Sequence, residues 1–134
     1  MIFALDASAM IAYLRGEEGS DVVAKILSSE ENRCIAHVVN LCEVFYDFHR
    51  AGGQESAISA LKDLALAGVI ESAEISTLFW QTVGTLKSIH KRVSLADCFL
   101  IALADQRGAT VLTADHHEFD VLEKQAVCLV SFIR

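Results

Sequence analysis

Four acidic residues, Asp6, Glu43, Asp97 and Asp115, lie far apart in the chain but in related settings. Asp6 ends the apolar run Ile2 to Leu5, and Asp115 comes just past the β-branched stretch Thr110 to Thr113. Asp97 stands three residues after Ser94, immediately before Cys98 to Ala104, where every residue is apolar. Glu43 follows the short run Arg33 to Ala36 within V-N-L-C-E-V. A carboxylate on the first turn of a buried helix is costly unless something positive pairs with it. Adjacent anions also repel, and a hard divalent cation is the economical way to hold several of them. Whether these acids meet depends on the elements that carry them.

Those elements alternate. Ile2–Leu5 reads as a buried strand. Ser8 caps a short helix through Leu14, closed by Gly16, and Ser20 opens a second with Val22, Val23, Ile26 and Leu27 on one face. Arg33–Ala36 is a second strand. Val38–Arg50 is helical up to Gly52-Gly53, Glu55–Ala67 is a separate helix, and Val69–Glu71 a short strand. Ile75–His90 is a long helix. Ser94 is the N-cap of the next helix, with Asp97 as the acidic half of a capping box and Gly108 at its end. Thr110–Thr113 is a strand, followed by a short helix over Phe119–Lys124 and a last strand over Val127–Phe132. Strands alternating with helices predict one α/β domain over residues 1–134, built on a mainly parallel sheet.

In such a sheet, whatever follows a strand lies at the carboxyl edge, where open α/β sheets place their ligands. Asp6 and Asp115 each follow a strand directly. The helix after Ser94 feeds the strand at Thr110, so its start, and Asp97, belong at the same edge. Glu43 lies in the second turn of the helix entered from the second strand. Each acid has a bland alternative: Asp6 as a helix cap, Asp97 as a capping-box acid, Asp115 as an N-cap or turn residue, Glu43 on a solvated face with Asn40 and Asp47. The shared edge is what points to a site.

Composition bounds the function. The chain is 53% hydrophobic with mean hydropathy +0.40, which predicts a compact globular domain. Its longest apolar run, Cys98–Ala104, falls far short of the roughly 20 residues of a bilayer span, and the N-terminus shows no export signal. Cys34, Cys42, Cys98 and Cys128 form no C-x-x-C pair and read as reduced thiols of a cytoplasmic protein. The formal charge of −7 argues against a DNA-binding surface over the whole domain and favours a basic protein partner. No Gly-rich loop follows the first strand, against dinucleotide binding. Ser8, two residues after Asp6, replaces the second Asp that an aspartyl phosphotransferase would carry.

Four segments, L-D-A-S (Leu5 to Ser8), V-N-L-C-E-V (Val39 to Val44), S-L-A-D-C (Ser94 to Cys98) and L-T-A-D-H-H-E-F (Leu112 to Phe119), occur in this order across the chain. In them the chain resembles the PIN-domain nucleases, in particular the small single-domain toxins of VapBC-type toxin–antitoxin pairs. Singly each motif is weak; their order and spacing are specific. The resemblance implies a three-layer α/β/α fold and a ribonuclease activity in which Asp6, Glu43, Asp97 and Asp115 bind metal, supported through hydrogen bonds by Ser8, Asn40 and Thr113. It also implies an antitoxin partner that carries the DNA-binding function. Asn40 departs from the Thr or Ser of many members, which bears on the supporting role at that position.

Carboxylate oxygens suit Mg²⁺ or Mn²⁺, whereas zinc would recruit His and Cys. Lys87, His90, Lys91 and Arg92 precede Ser94 and so lie near the same edge. They are candidates for RNA phosphate contacts, as is Arg15, though a solvated helix end explains the cluster too. His116 and His117 read as ligands, acid–base groups or exposed loop residues. Phe45, Phe79 and Trp80 read as core or subunit interface. The apolar content of Val38–Arg50 and Glu55–Ala67, with Phe45, Tyr46 and Phe48 close together, predicts a homodimer. A solitary RNA-processing nuclease and a non-catalytic PIN-like scaffold are the competing functions.

Overall fold

The computed structural model describes all of residues 1–134. The elements run β1 (Ile2–Leu5), α1 (Ala7–Arg15), α2 (Ser20–Ser28), β2 (Arg33–His37), α3 (Val38–Leu66), β3 (Val69–Ser72), α4 (Thr77–Ile89), α5 (Leu95–Arg107), β4 (Thr110–Thr113), α6 (His116–Lys124) and β5 (Val130–Phe132). One five-stranded sheet has the order β3-β2-β1-β4-β5, and all four pairings are parallel. The three inner strands β1, β2 and β4 are short runs buried on both faces, as a parallel sheet between two helical layers requires.

Successive strand residues point to opposite faces, and the core divides accordingly. Phe3, Leu5, Cys34, Ala36 and Leu112 pack with residues of α1, α2 and α3. Ala4, Ile35 and Val111 pack with residues of α4, α5 and α6. The result is the three-layer α/β/α arrangement. Helix α5 is buried from Asp97 to Ala104 except at Phe99, because the sheet covers one side and α4 much of the other. Gly108 closes it in the left-handed region at φ 61°, where a residue without Cβ carries no steric penalty.

Several boundaries differ from those read in the sequence. Asp6, not Ser8, is the N-cap of α1: its Oδ1 accepts the N–H of Ala9 at 2.8 Å, and Ser8 lies inside the first turn. The expected break at Gly52-Gly53 is present as a kink at Gly53, with no loop between the two helices. The two helices run on as α3, with only Gly53 leaving helical geometry (φ 84°, ψ −175°). Helix α6 starts at His116 rather than Phe119, since Asp115 caps it and accepts the N–H of Glu118 at 3.2 Å. Strand β5 begins at Val130, because the chain turns after α6 through Ala126 at φ 55°.

Of the aromatic residues on α3, Tyr46 is exposed, Phe48 packs against the core and Phe45 lies beside His49. Phe79 is buried against the imidazole of His37, whereas Trp80 is half exposed. No helix is long and apolar enough to cross a membrane.

Candidate metal centre

The chain moves from β1 to its neighbour β2 on one side and later crosses to β4 on the other. Ligand sites of open α/β sheets form at such a reversal, outside the carboxyl ends of the strands. Asp6 leaves β1 and Asp115 leaves β4 at this point, and the start of α5 brings Asp97 over it. The carboxylates of Asp97, Asp115 and Glu118 place ligand oxygens within 4.8 Å of one another. Asp6 and Glu43 lie outside this group of three but close enough for their charges to act on it. Asp6 and Asp97 are nearly buried, at 3% and 8% exposure.

Hydrogen bonds fix these side chains. Asp6 Oδ1 accepts from Ser8 Oγ (2.7 Å) and from the Ala9 N–H, while the Thr113 hydroxyl donates to Oδ2. Thr113 Oγ1 also accepts the N–H of Asp115 at 2.9 Å, and Ser8 Oγ accepts that of Ala114 at 2.9 Å. Two hydroxyls thus join the ends of β1 and β4 around one carboxyl group. Asn40 is fully buried and donates through Nδ2 to Glu43 Oε1 (3.4 Å) and to the Ala96 carbonyl (3.3 Å). It links α3 to the first turn of α5. Ser94 Oγ accepts the N–H of Asp97 at 3.1 Å, as an N-cap does. The predicted reciprocal bond from Asp97 does not close the box: the Ser94 N–H donates to Glu118 Oε1 at 3.2 Å.

Burial and mutual repulsion raise the carboxyl pKa values. Desolvation pushes Asp6 from 3.8 up to about 6, against the hydrogen bonds from Thr113, Ala9 and Ser8, and the Asp115 charge adds to the rise. Asp97 is also raised, first by desolvation, then by the neighbouring Glu118 carboxylate and by the Asp6 charge. Glu43 moves up through desolvation, opposed by Asn40 and assisted by the charges of Asp6 and Glu118. No lysine, arginine or histidine forms an ion pair with any of these five acids.

The basic candidates separate into two kinds. Lys87 is used internally: its Nζ donates to the carbonyls of Lys91 (2.9 Å) and Val93 (2.7 Å), bracing the turn before α5. Arg15 pairs with Asp47 at 2.7 Å and lies over the Phe48 ring. Both thus have partners within the chain. Lys91 and Arg92 are exposed and make no ion pair. His116 lies in α6 rather than a loop, bonding the Asp120 carboxylate and the Arg134 carbonyl and stacking on Phe132.

Glu118 is the site residue that sequence reading missed. The signal was present: Asp115 and Glu118 have capping-box spacing, D-x-x-E. A helix beginning only at Phe119 places Glu118 in the preceding loop, where it has no defined face.

The donor set fits a hard divalent cation. All donors are carboxylate oxygens, and Glu118 Oε2 is buried with no hydrogen-bond partner. Carboxylate-oxygen donors suit Mg²⁺ or Mn²⁺. Residues 3–125 match the family model described as the PIN domain. The chain belongs to the PIN domain family. Solved structures similar to this PIN domain include VapBC2 from Rickettsia felis bound to a promoter DNA fragment, at 15% identity and TM-score 0.74, with 98% of each chain covered. DNA-bound VapBC from Salmonella typhimurium has 17% identity and TM-score 0.72, covering 100% of this chain and 99% of the other. The sarcin–ricin-loop-cleaving toxin VapC20 from Mycobacterium tuberculosis has 18% identity and TM-score 0.70, over 90% and 95%. No curated protein sequence matches the chain.

Proposed function

We propose that this PIN domain is a Mg²⁺- or Mn²⁺-dependent ribonuclease and the toxin of a VapBC-like toxin–antitoxin pair. The observation that carries the nuclease reading is the group of carboxylates at the sheet's carboxyl edge, with no basic residue paired to it. Asp97, Asp115 and Glu118 would hold the cation, with Asp6 beside them. When bound, it offsets charge developing on a phosphodiester and promotes in-line attack by water. Glu43, held by Asn40, orients that water and receives its proton; its raised pKa suits a proton acceptor. Ser8 and Thr113 hold Asp6 and the ends of β1 and β4 in register. The products are a 5′-phosphate and a 3′-hydroxyl.

Incubation with structured RNAs in Mg²⁺, Mn²⁺ or EDTA, followed by end mapping, tests this. Cleavage should require the metal and disappear in Asp6→Asn and Asp97→Asn proteins that remain folded. Undiminished cleavage in EDTA would refute it, as would full activity of Asp97→Asn.

The partner would be an antitoxin carrying the DNA-binding function, since the DNA-bound similar structures are VapBC complexes. An Arg from it suits the anionic edge, because its planar fork pairs bidentately with carboxylates. Co-purification with the product of the neighbouring reading frame, and loss of RNase activity in the complex, is the expected result. A protein that binds no such partner and leaves growth untouched would instead be a solitary RNA-processing nuclease. Two copies are proposed to associate through exposed apolar side chains of α3 such as Tyr46 and Ile58. Light scattering should give twice the 14.6 kDa chain mass, and a monomer mass at micromolar concentration would exclude the dimer.

A further inference from the structure

A groove of about 550 Å³ separates the turn before α5 from α6, within the roughly 300–1,000 Å³ range of small-ligand pockets. Lys91 and Arg92 line one wall, and His117 and Gln125 the other, with buried Val93 and Leu122 among the lining residues. Glu118 lines it as well, and Glu118 belongs to the carboxylate group, so the groove and the candidate metal centre share one side chain. The Ser94–Glu118 hydrogen bond ties its two walls. Lys87 braces the turn from within, through the carbonyls of Lys91 and Val93, so the wall is held in shape before anything binds.

We propose that this groove binds one nucleotide of single-stranded RNA next to the cleaved phosphodiester, with Lys91 and Arg92 gripping its phosphate. The proposal rests on the nuclease reading for the identity of the ligand. Its carrying observation is a juxtaposition: the unpaired cations Lys91 and Arg92 lie in a groove that shares Glu118 with the candidate metal centre. A polyanion can satisfy both, one phosphate at the cation and a neighbour at Lys91 and Arg92. The imidazoles of His90 and His117 offer flat faces to a base. The Gln125 amide offers both donors and an acceptor to its edge. Lys87 and Arg15 are assigned no phosphate contact, because both have partners within the chain.

The test uses fluorescence anisotropy of a labelled short single-stranded RNA of mixed sequence, in EDTA over a series of salt concentrations. Lys91→Ala/Arg92→Ala should weaken binding about tenfold or more and lower the log–log salt slope by about 1.4, two contacts at about 0.7 each. Arg92→Lys should keep the slope. Lys25→Ala/Lys62→Ala removes the same charge from α2 and α3, outside the groove, and should change neither quantity. An unchanged slope in the groove variant, or equal losses in both double variants, would overturn the proposal. Cleavage of structured RNA in Mg²⁺ reads the nuclease assignment separately. A wild-type protein that binds through the groove but cleaves nothing keeps the subsite and removes the nuclease reading. One that cleaves, with KM unchanged in the groove variant, removes the subsite alone.

Discussion

The backbone N–H of Ser94 donates to Glu118 Oε1 at 3.2 Å, across 24 residues of sequence. It spends one oxygen of Glu118 on holding the start of α5 against the first turn of α6, and it leaves Oε2 without a partner beside Asp97 and Asp115. One side chain therefore both sets the distance between two elements and supplies a donor at their junction. It also frees Asp97 from the capping-box role its spacing suggests.

Glu118→Gln should retain the bond from Ser94 through its amide oxygen while removing a charge. Mn²⁺ affinity, measured by calorimetry, should fall on the order of tenfold to a hundredfold, with the melting temperature of the metal-free protein unchanged or higher. Glu118→Ala should lower both affinity and melting temperature, since the tie to α5 goes too. Wild-type Mn²⁺ affinity in the Gln variant would remove Glu118 from the metal centre.

Thr113→Val should strand a buried carboxylate oxygen of Asp6 and the Asp115 N–H, both bonded to Thr113 Oγ1. The expected cost in urea unfolding is about 1–3 kcal/mol. The Asp6 titration, followed by carboxyl carbon NMR, should move above its value of about 6, because the Thr113 bond is the largest of the effects holding it down. A downward shift would contradict the assigned hydrogen bond.

The metal-free protein should lose stability as pH rises. Asp6 titrates at about 6 when folded against an ordinary 3.8, so between those values the folded state holds a proton that the unfolded chain has released. Relative to high pH, the gain is fully present below about 4 and gone above about 6, on the order of 3 kcal/mol. Asp97, raised as well, extends the decline to higher pH. Melting in EDTA should therefore be lower at pH 8 than at pH 5, excess Mn²⁺ should reverse the difference, and Asp97→Asn should flatten it. A melting temperature that climbs from pH 5 to pH 8 in EDTA would count against the buried-acid account.

Gly53→Ala should destabilise the fold by about 1–3 kcal/mol. A Cβ there would meet no atom within 4 Å, so the cost is the backbone conformation alone, φ 84° with ψ −175°. Chemical denaturation measures it. No loss would mean that α3 can bend elsewhere.

Asp6, Asp97 and Asp115 could be placed from sequence because strand ends and N-caps are local features. Apolar runs, a capping serine and a closing glycine each leave a signature within a few residues. Once the strands are parallel, everything following them must share an edge. Asn40 and Thr113 came through the family resemblance, and their hydrogen bonds depend on partners 56 and 107 residues away. Other features rested on packing that no local pattern encodes. Lys87 and Arg15 read as free cations, since nothing nearby in sequence shows that one braces a turn and the other pairs across α1 and α3. Glu118 joins the site because Asp115 starts α6 early enough to turn that carboxylate inward, and because α5 arrives with an N–H to hold it. Helix starts are written in short-range chemistry, whereas which charges end up unpaired is settled only when distant elements close on one another.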